Sequence, residues 1–202
     1  MAIKILIHAS PYQHEQWLLK PIANNIELQF YTNEVLEADL YIDNNFNTAT
    51  NIFRDVTSKP VLINSLPLDN LPTNYFLFNG WATSIKYNTL EVSTTNQIYN
   101  EDLKKICEAA NWKLFLFNNI IGLPTQRTIS MIINEAYFAL EANVSSKEDI
   151  DIAMKLGTNY PFGPFEWSEK IGLKEIYFLL KTISEYDSKF TPCKLLETEA
   201  LS

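Results

Sequence analysis

Apolar positions along this chain repeat with two different periods, and the change falls near residue 119. Upstream of it, short β-branched or alternating runs predict buried strands at 3–9 (IKILIHA), 26–31, 37–43 (EADLYID), 60–64 (PVLIN), 75–78, 89–92 and 113–117 (KLFLF). Between these runs, 14–23 reads as a helix with Trp17 and Leu18 facing inward and Pro21 breaking it near its end. Residues 48–56 are weakly helical, and 101–110 is amphipathic, with Leu103, Ile106, Cys107 and Ala110 on one face. Strands alternating with short helical segments predict an α/β layered domain with a largely parallel sheet.

Downstream the period is that of helices. Ile129, Ile132, Ile133, Ala136, Tyr137 and Leu140 share one helix face. Ser145 and Glu148 fit a capping box that starts the next helix, with Ile150, Ala153 and Met154 on its stripe and Gly157 placed to end it. Gly163-Pro164 opens a third helix, because proline is tolerated where the N–H needs no partner. Ile176, Leu179, Leu180 and Ile183 align on a fourth. The expected organisation is therefore an α/β domain over 1–118 and an all-α domain over 119–202.

The 202 residues suffice to bury a core in one large domain or two small ones. The net charge of -8 argues against nucleic acid, since phosphate binding needs a lysine- and arginine-rich surface. No apolar run approaches the ~20 residues of a membrane span, and the apolar start is too short for a signal peptide. Cys107 and Cys193 make no disulfide framework and read as reduced thiols, so a cytoplasmic protein is expected. Glycine changes the picture most. The five glycines are Gly80, Gly122, Gly157, Gly163 and Gly172, so the first 79 residues hold none.

Three linked segments carry a family resemblance: GLPTQRTISMIINEA (122–136), VSSKEDIDIAMKLG (144–157) and YPFGPFEWSEKIGL (160–173). In order and spacing they are similar to the C-terminal domain of the 3-hydroxyacyl-CoA dehydrogenases, which reads G-F-x-x-N-R, then N-E-A, then E-D-I-D-x-A-M-x-x-G, then P-x-G-P-F. The resemblance implies a helical unit that forms a homodimer, preceded by a Rossmann-type domain that holds NAD. It also implies oxidation of a 3-hydroxyacyl-CoA to the 3-oxoacyl-CoA in fatty acid metabolism. The upstream match is looser: EADLYIDN resembles the family strand A-D-L-V-I-E-A, PVLINSL the strand leading into N-T-S-S-L, and FNGWATSIKYNTLEV the H-F-F-N-P-V…L-V-E-V segment.

Measured against that chemistry, several residues depart. A dinucleotide pyrophosphate needs backbone N–H groups at a helix start and glycines that allow close approach. The family's G-x-G-x-x-G position here reads Ala9-Ser10-Pro11-Tyr12-Gln13-His14, which leaves Ser10 and Tyr12 as degenerate loop residues. The second strand ends Tyr31-Thr32-Asn33 rather than in an acid for a ribose. The segment before Glu37 is short where the family carries a helical insert. Aligning the family's H-x(11)-E on Glu91 places Asn79 at the histidine, and asparagine cannot serve as a base near neutral pH. Gln126, beside Arg127, stands for the family asparagine, and Ser65 roughly for its serine. His8 and His14 lie elsewhere and read as core or surface residues. The expectation is a dehydrogenase-like protein of impaired activity that could still take an acyl-CoA or another small ligand. The alternative is a non-catalytic dimeric homologue acting as a binding or scaffold protein.

Overall fold

The computed structural model of the protein describes residues 2–202, and these form seven strands and eight helices. The chain divides into two compact units, 1–123 and 124–202. The first contains β1 (Ile3–His8), α1 (Pro11–Leu19), β2 (Ile26–Phe30), β3 (Leu40–Asp43), β4 (Val61–Ile63), β5 (Tyr75–Phe78), α2 (Ala82–Ile85), β6 (Thr89–Thr94), α3 (Asn100–Ala109) and β7 (Lys113–Asn118). All seven strands join one sheet in the order β2-β1-β3-β4-β5-β6-β7. Neighbouring strands run parallel except β5 and β6, which are antiparallel.

A sheet covered on both faces needs strands that are apolar on both sides. In β1, Ile5 and Ile7 enter a core with Trp17 of α1 and Leu103 and Ile106 of α3. Leu6, between them, enters the opposite core with Tyr41, Val61, Ile63 and Phe53. Each such side chain contributes roughly 1.5–3 kcal/mol when fully buried. That explains why the β-branched runs were readable as strands.

Three details differ from expectation. The helix after β1 begins at Pro11, earlier than 14, because Ser10 caps it: Ser10 Oγ accepts from Gln13 N and Gln13 Oε1 accepts from Ser10 N. Trp17 is buried, but Leu18 is 65% exposed. Residues 48–56 hold only a 3₁₀ turn at Thr48–Thr50, because Asn47 and Asn51 turn their side-chain oxygens back onto the N–H groups of Ala49 and Phe53. Such local bonds compete with a helix.

The second unit holds α4 (Pro124–Glu141), α5 (Lys147–Thr158), α6 (Pro164–Ile171), α7 (Leu173–Ser184) and α8 (Lys194–Leu201). Ser146, not Ser145, caps α5, its Oγ accepting from Asp149 N at 3.1 Å. Gly157 lies within α5, and Asn159 ends that helix in the left-handed region at φ 57°. Gly163 and Pro164 open α6 as the sequence implied.

The residues that carry the family pattern here are fasteners. Asp151 accepts from Phe165 N at 2.8 Å and from Glu166 N at 3.1 Å, so α5 caps α6 through one carboxylate. Burial pushes its pKa up, and these backbone bonds pull it down. Asn134 on α4 is fully buried, donates to Thr191 O and accepts from Cys193 N, which fixes the turn that leads into α8.

Candidate functional site

The antiparallel β5–β6 pair brings residues 79 and 91 together. Beyond the register pairs Leu77–Ser93 and Phe78–Val92, Asn79 N donates to Glu91 O at 3.1 Å. The side chains follow the backbone. Asn79 Nδ2 donates to Glu91 Oε2 at 3.3 Å and to Ser84 Oγ at 3.2 Å, while Asn79 Oδ1 accepts from Trp81 N at 3.3 Å. Asn79 is buried, and both its amide hydrogens are engaged.

Gly80 follows at a point of close approach. A Cβ there would lie 2.7 Å from Asn64 Cβ and 2.8 Å from Asn44 Nδ2. Its carbonyl accepts from Asn44 Nδ2 at 3.0 Å and from Gln13 Nε2 at 3.3 Å, and its N–H donates to Asn64 Oδ1. Asn44 Oδ1 in turn accepts from Trp17 Nε1 at 2.9 Å. An amide cluster from α1 and from the loops after β3 and β4 therefore converges on Gly80, the residue next to Asn79. Sequence reasoning missed Gln13 and Asn44, because amides carry no motif and their partners lie 36 to 67 residues away.

The other candidates have these surroundings. Ser65 Oγ donates to Leu66 O at 2.9 Å, within its own loop, and the neighbouring Asn64 makes the contact to Gly80. Gln126 stands in the first turn of α4, in the second unit, followed by Arg127, whose guanidinium lies 4.5 Å from the centre of the Phe190 ring. Tyr12 is exposed in the first turn of α1. At the start of that helix Pro11 has no N–H, and Ser10 and Gln13 use their N–H groups on each other's side chains.

A second polar pair lies at the ends of β1 and β3, where His8 Nδ1 and Asp43 Oδ1 are 2.8 Å apart. Burial pushes the Asp43 carboxyl up, and the His8 hydrogen bond pulls it back. Read from sequence as a core or surface residue, His8 gave no signal, since its partner is 35 positions away. Among the described residues, no group of three or more His, Cys, Asp or Glu side chains could hold a metal ion. No described helix is long and apolar enough to cross a membrane.

The fold is one found among dehydrogenases of known structure. M. tuberculosis FadB2 superposes with a TM-score of 0.73 over 100% of this chain and 94% of that one, at 14% identity. The (S)-3-hydroxybutyryl-CoA dehydrogenase PaaH1 from Ralstonia eutropha gives 0.69 over 98% and 93%, also at 14% identity. Sequence similarity is concentrated downstream. Residues 122–201 match the family model of the 3-hydroxyacyl-CoA dehydrogenase C-terminal domain. The 3-hydroxyadipyl-CoA dehydrogenase of Escherichia coli (strain K12) is 44% identical over 82 residues, 40% of this chain and 17% of that protein. The 3-hydroxybutyryl-CoA dehydrogenase of Bradyrhizobium diazoefficiens is 37% identical over 95 residues, 46% of this chain and 30% of that protein. The matched part thus spans less than a third of either relative.

Proposed function

We propose that this chain is a 3-hydroxyacyl-CoA dehydrogenase relative whose dehydrogenase activity is impaired at both the base and the cofactor seat. The observation that carries this is the Asn79–Glu91 hydrogen bond. Oxidising a secondary alcohol needs a group that takes the hydroxyl proton, and such a base is typically worth 10²–10⁴-fold in rate. The Asn79 amide has no basic atom, and both its hydrogens go to Glu91 and Ser84, so it offers a substrate oxygen neither a base nor a free donor. NAD, which would supply the hydride acceptor, does not fit the loop after β1, because Pro11 and the Ser10–Gln13 capping box leave no open cradle. Glu91 is left as a carboxylate fastened to an amide.

The expected result is no NAD reduction with 3-hydroxybutyryl-CoA, no NADH oxidation with acetoacetyl-CoA, and a negligible thermal shift with NAD. A bound cofactor at about 100 times its Kd would stabilise by about 2.7 kcal/mol and raise the melting temperature by several degrees. Saturable turnover, or such a shift, would sink the proposal.

A second reading is a non-catalytic binding or scaffold protein, dimeric through the helical unit and in contact with an acyl-CoA or another small ligand. It is favoured by exposed apolar side chains there, among them Ile152 and Leu156 one turn apart on α5, with Leu156 84% exposed. Sedimentation at about 10 µM should give a dimer, since a specific homodimer is commonly populated at micromolar concentration; a monomer contradicts this reading. The free, buried thiols of Cys107 and Cys193 suit a cytoplasmic setting.

A further inference from the structure

A cavity of about 270 Å³ opens at the amino ends of the central strands. Ile3 begins β1, Asp39 directly precedes β3, and Lys59 and Pro60 directly precede β4. These strands run parallel, so the four residues meet at one end of the sheet. Asn79 follows β5, which is parallel to β4, and so stands at the other end. The second wall is α3, through Asp102, Lys105 and Ile106. Residues three and four apart share a helix face, which is why these three point to one space.

Part of the lining is apolar: Pro60 and Ile106 are buried, and Ile3 is half-buried. The polar part divides in two. Asp39 is fully engaged, since its Oδ2 accepts from Lys4 N at 3.0 Å and its Oδ1 from Lys59 Nζ at 3.2 Å. Asp102, Lys105 and Ser58 are not engaged: among the described residues their side chains make no hydrogen bond or ion pair. On the same helix Glu101 and Lys104 close on each other at 2.6 Å. Asp102 and Lys105 have the same spacing and do not close, because the aspartate is one methylene shorter. A carboxylate, an ammonium and a hydroxyl with unspent capacity therefore stand beside an apolar patch. The two acids and two lysines of the lining cancel in charge, and the chain's net charge of -8 disfavours a polyanion. The complementary molecule is neutral overall and carries one charge of each sign.

We propose that this cavity binds a small zwitterion with an apolar side chain, the chemistry of a free aliphatic α-amino acid. Its ammonium pairs with Asp102, and its carboxylate pairs with Lys105 and accepts from the Ser58 hydroxyl. Its side chain lies on Ile3, Pro60 and Ile106. The volume lies just below the range of about 300–1,000 Å³ usual for pockets that hold drug-sized molecules, which suits an amino acid and excludes a dinucleotide or a coenzyme thioester. The site uses neither Asn79 nor Glu91, so it stands or falls independently of the dehydrogenase assay.

The test follows backbone amide ¹H–¹⁵N resonances of the intact chain as L-leucine is added. Two comparison molecules each lack one charge: 4-methylpentanoate has no ammonium, and 3-methylbutylamine has no carboxylate. Leucine should shift the amides of Ile3, Lys105 and Ile106 saturably, with a Kd of about 1 mM, ordinary for so small a molecule. Each comparison molecule should bind about tenfold more weakly, the scale of one lost charge-assisted contact. Asp102→Asn and Lys105→Met should each weaken leucine by about the same factor, and Asp102→Asn should leave 4-methylpentanoate unaffected. Both positions are exposed, so urea midpoints should stay at the parent value. If a variant does not fold, the comparison molecules on the parent chain still decide the matter. No saturable shift at about 20 mM leucine, either comparison molecule binding as tightly as leucine, or shifts centred on Gly80 at the other end of the sheet would each overturn the proposal.

Discussion

Replacing Gly163 by alanine is expected to destabilise the helical unit by about 3–5 kcal/mol, a loss larger than most single substitutions cause. The backbone at 163 is extended, so conformational freedom is not the reason. The reason is space: an added Cβ would lie 2.3 Å from Asp151 Cγ and Oδ1 and 2.4 Å from Asp151 Cβ. Asp151 must then leave, and it is the group that accepts from the N–H groups of Phe165 and Glu166. Each hydrogen bond to a charged group is worth about 1.5–3 kcal/mol, and the uncapped helix start adds to the loss. Urea unfolding measures it directly. Asp151→Asn keeps a single carbonyl acceptor and should lose roughly half as much on the same scale. A Gly163→Ala variant within about 1 kcal/mol of the parent, the range of an ordinary surface change, would show that Asp151 is not the fastener described.

Lys20→Met is expected to cost about 2–3 kcal/mol and to change how stability responds to pH. Lys20 is buried just beyond α1, where its ammonium donates to the carbonyls of Ile85, Tyr87 and Thr89 and lies 4.9 Å from the Trp112 ring centre. Methionine fills the space without a donor, so those carbonyls lose their partner. Burial lowers the Lys20 pKa from 10.5 to about 8. Between those values the unfolded chain holds a proton that the folded chain has released, so stability rises with pH across that window. Cys107, pushed up to about 12 by burial, acts in the opposite sense above pH 9, where only the unfolded thiol ionises. The clean interval is therefore pH 8–9, with a slope of up to about 1.4 kcal/mol per unit for one proton. Urea midpoints should rise there in the parent and stay flat in Lys20→Met. Equal slopes in both would refute the assignment. The carbonyls concerned lie between Asn79 and Glu91 in sequence, so Lys20 also anchors the segment that joins that pair.

Much of the fold was legible because the central strands β1, β3 and β4 are apolar runs buried on both faces, and burial of Ile5, Leu6 and Ile7 leaves a continuous apolar signature. The failures have local physical causes. Ser145 and Ser146 both have an acid three residues on, and sequence alone does not choose between Glu148 and Asp149. Gly157 looked like a helix end, but Asn159 adopts the left-handed conformation instead. The start of α1 was hidden because Ser10-Pro11-x-Gln13, a capping signature, occupies the place where glycines were sought. Of the site, the Asn79–Glu91 pair was found because its spacing survives in sequence. The His8–Asp43 pair was not, since β1 and β3 bring it together only through the sheet.

The antiparallel turn of β5 into β6 has one more consequence. It sets position 79 against position 91 by a main-chain hydrogen bond, whatever side chains stand there. The location of the pair is set by backbone, and the side-chain bonds of Asn79 to Glu91, Ser84 and Trp81 are added to it. Under the proposed function, a change of side chain at position 79 removes the base, while the main-chain bond that sets the position against 91 is still available to any residue there.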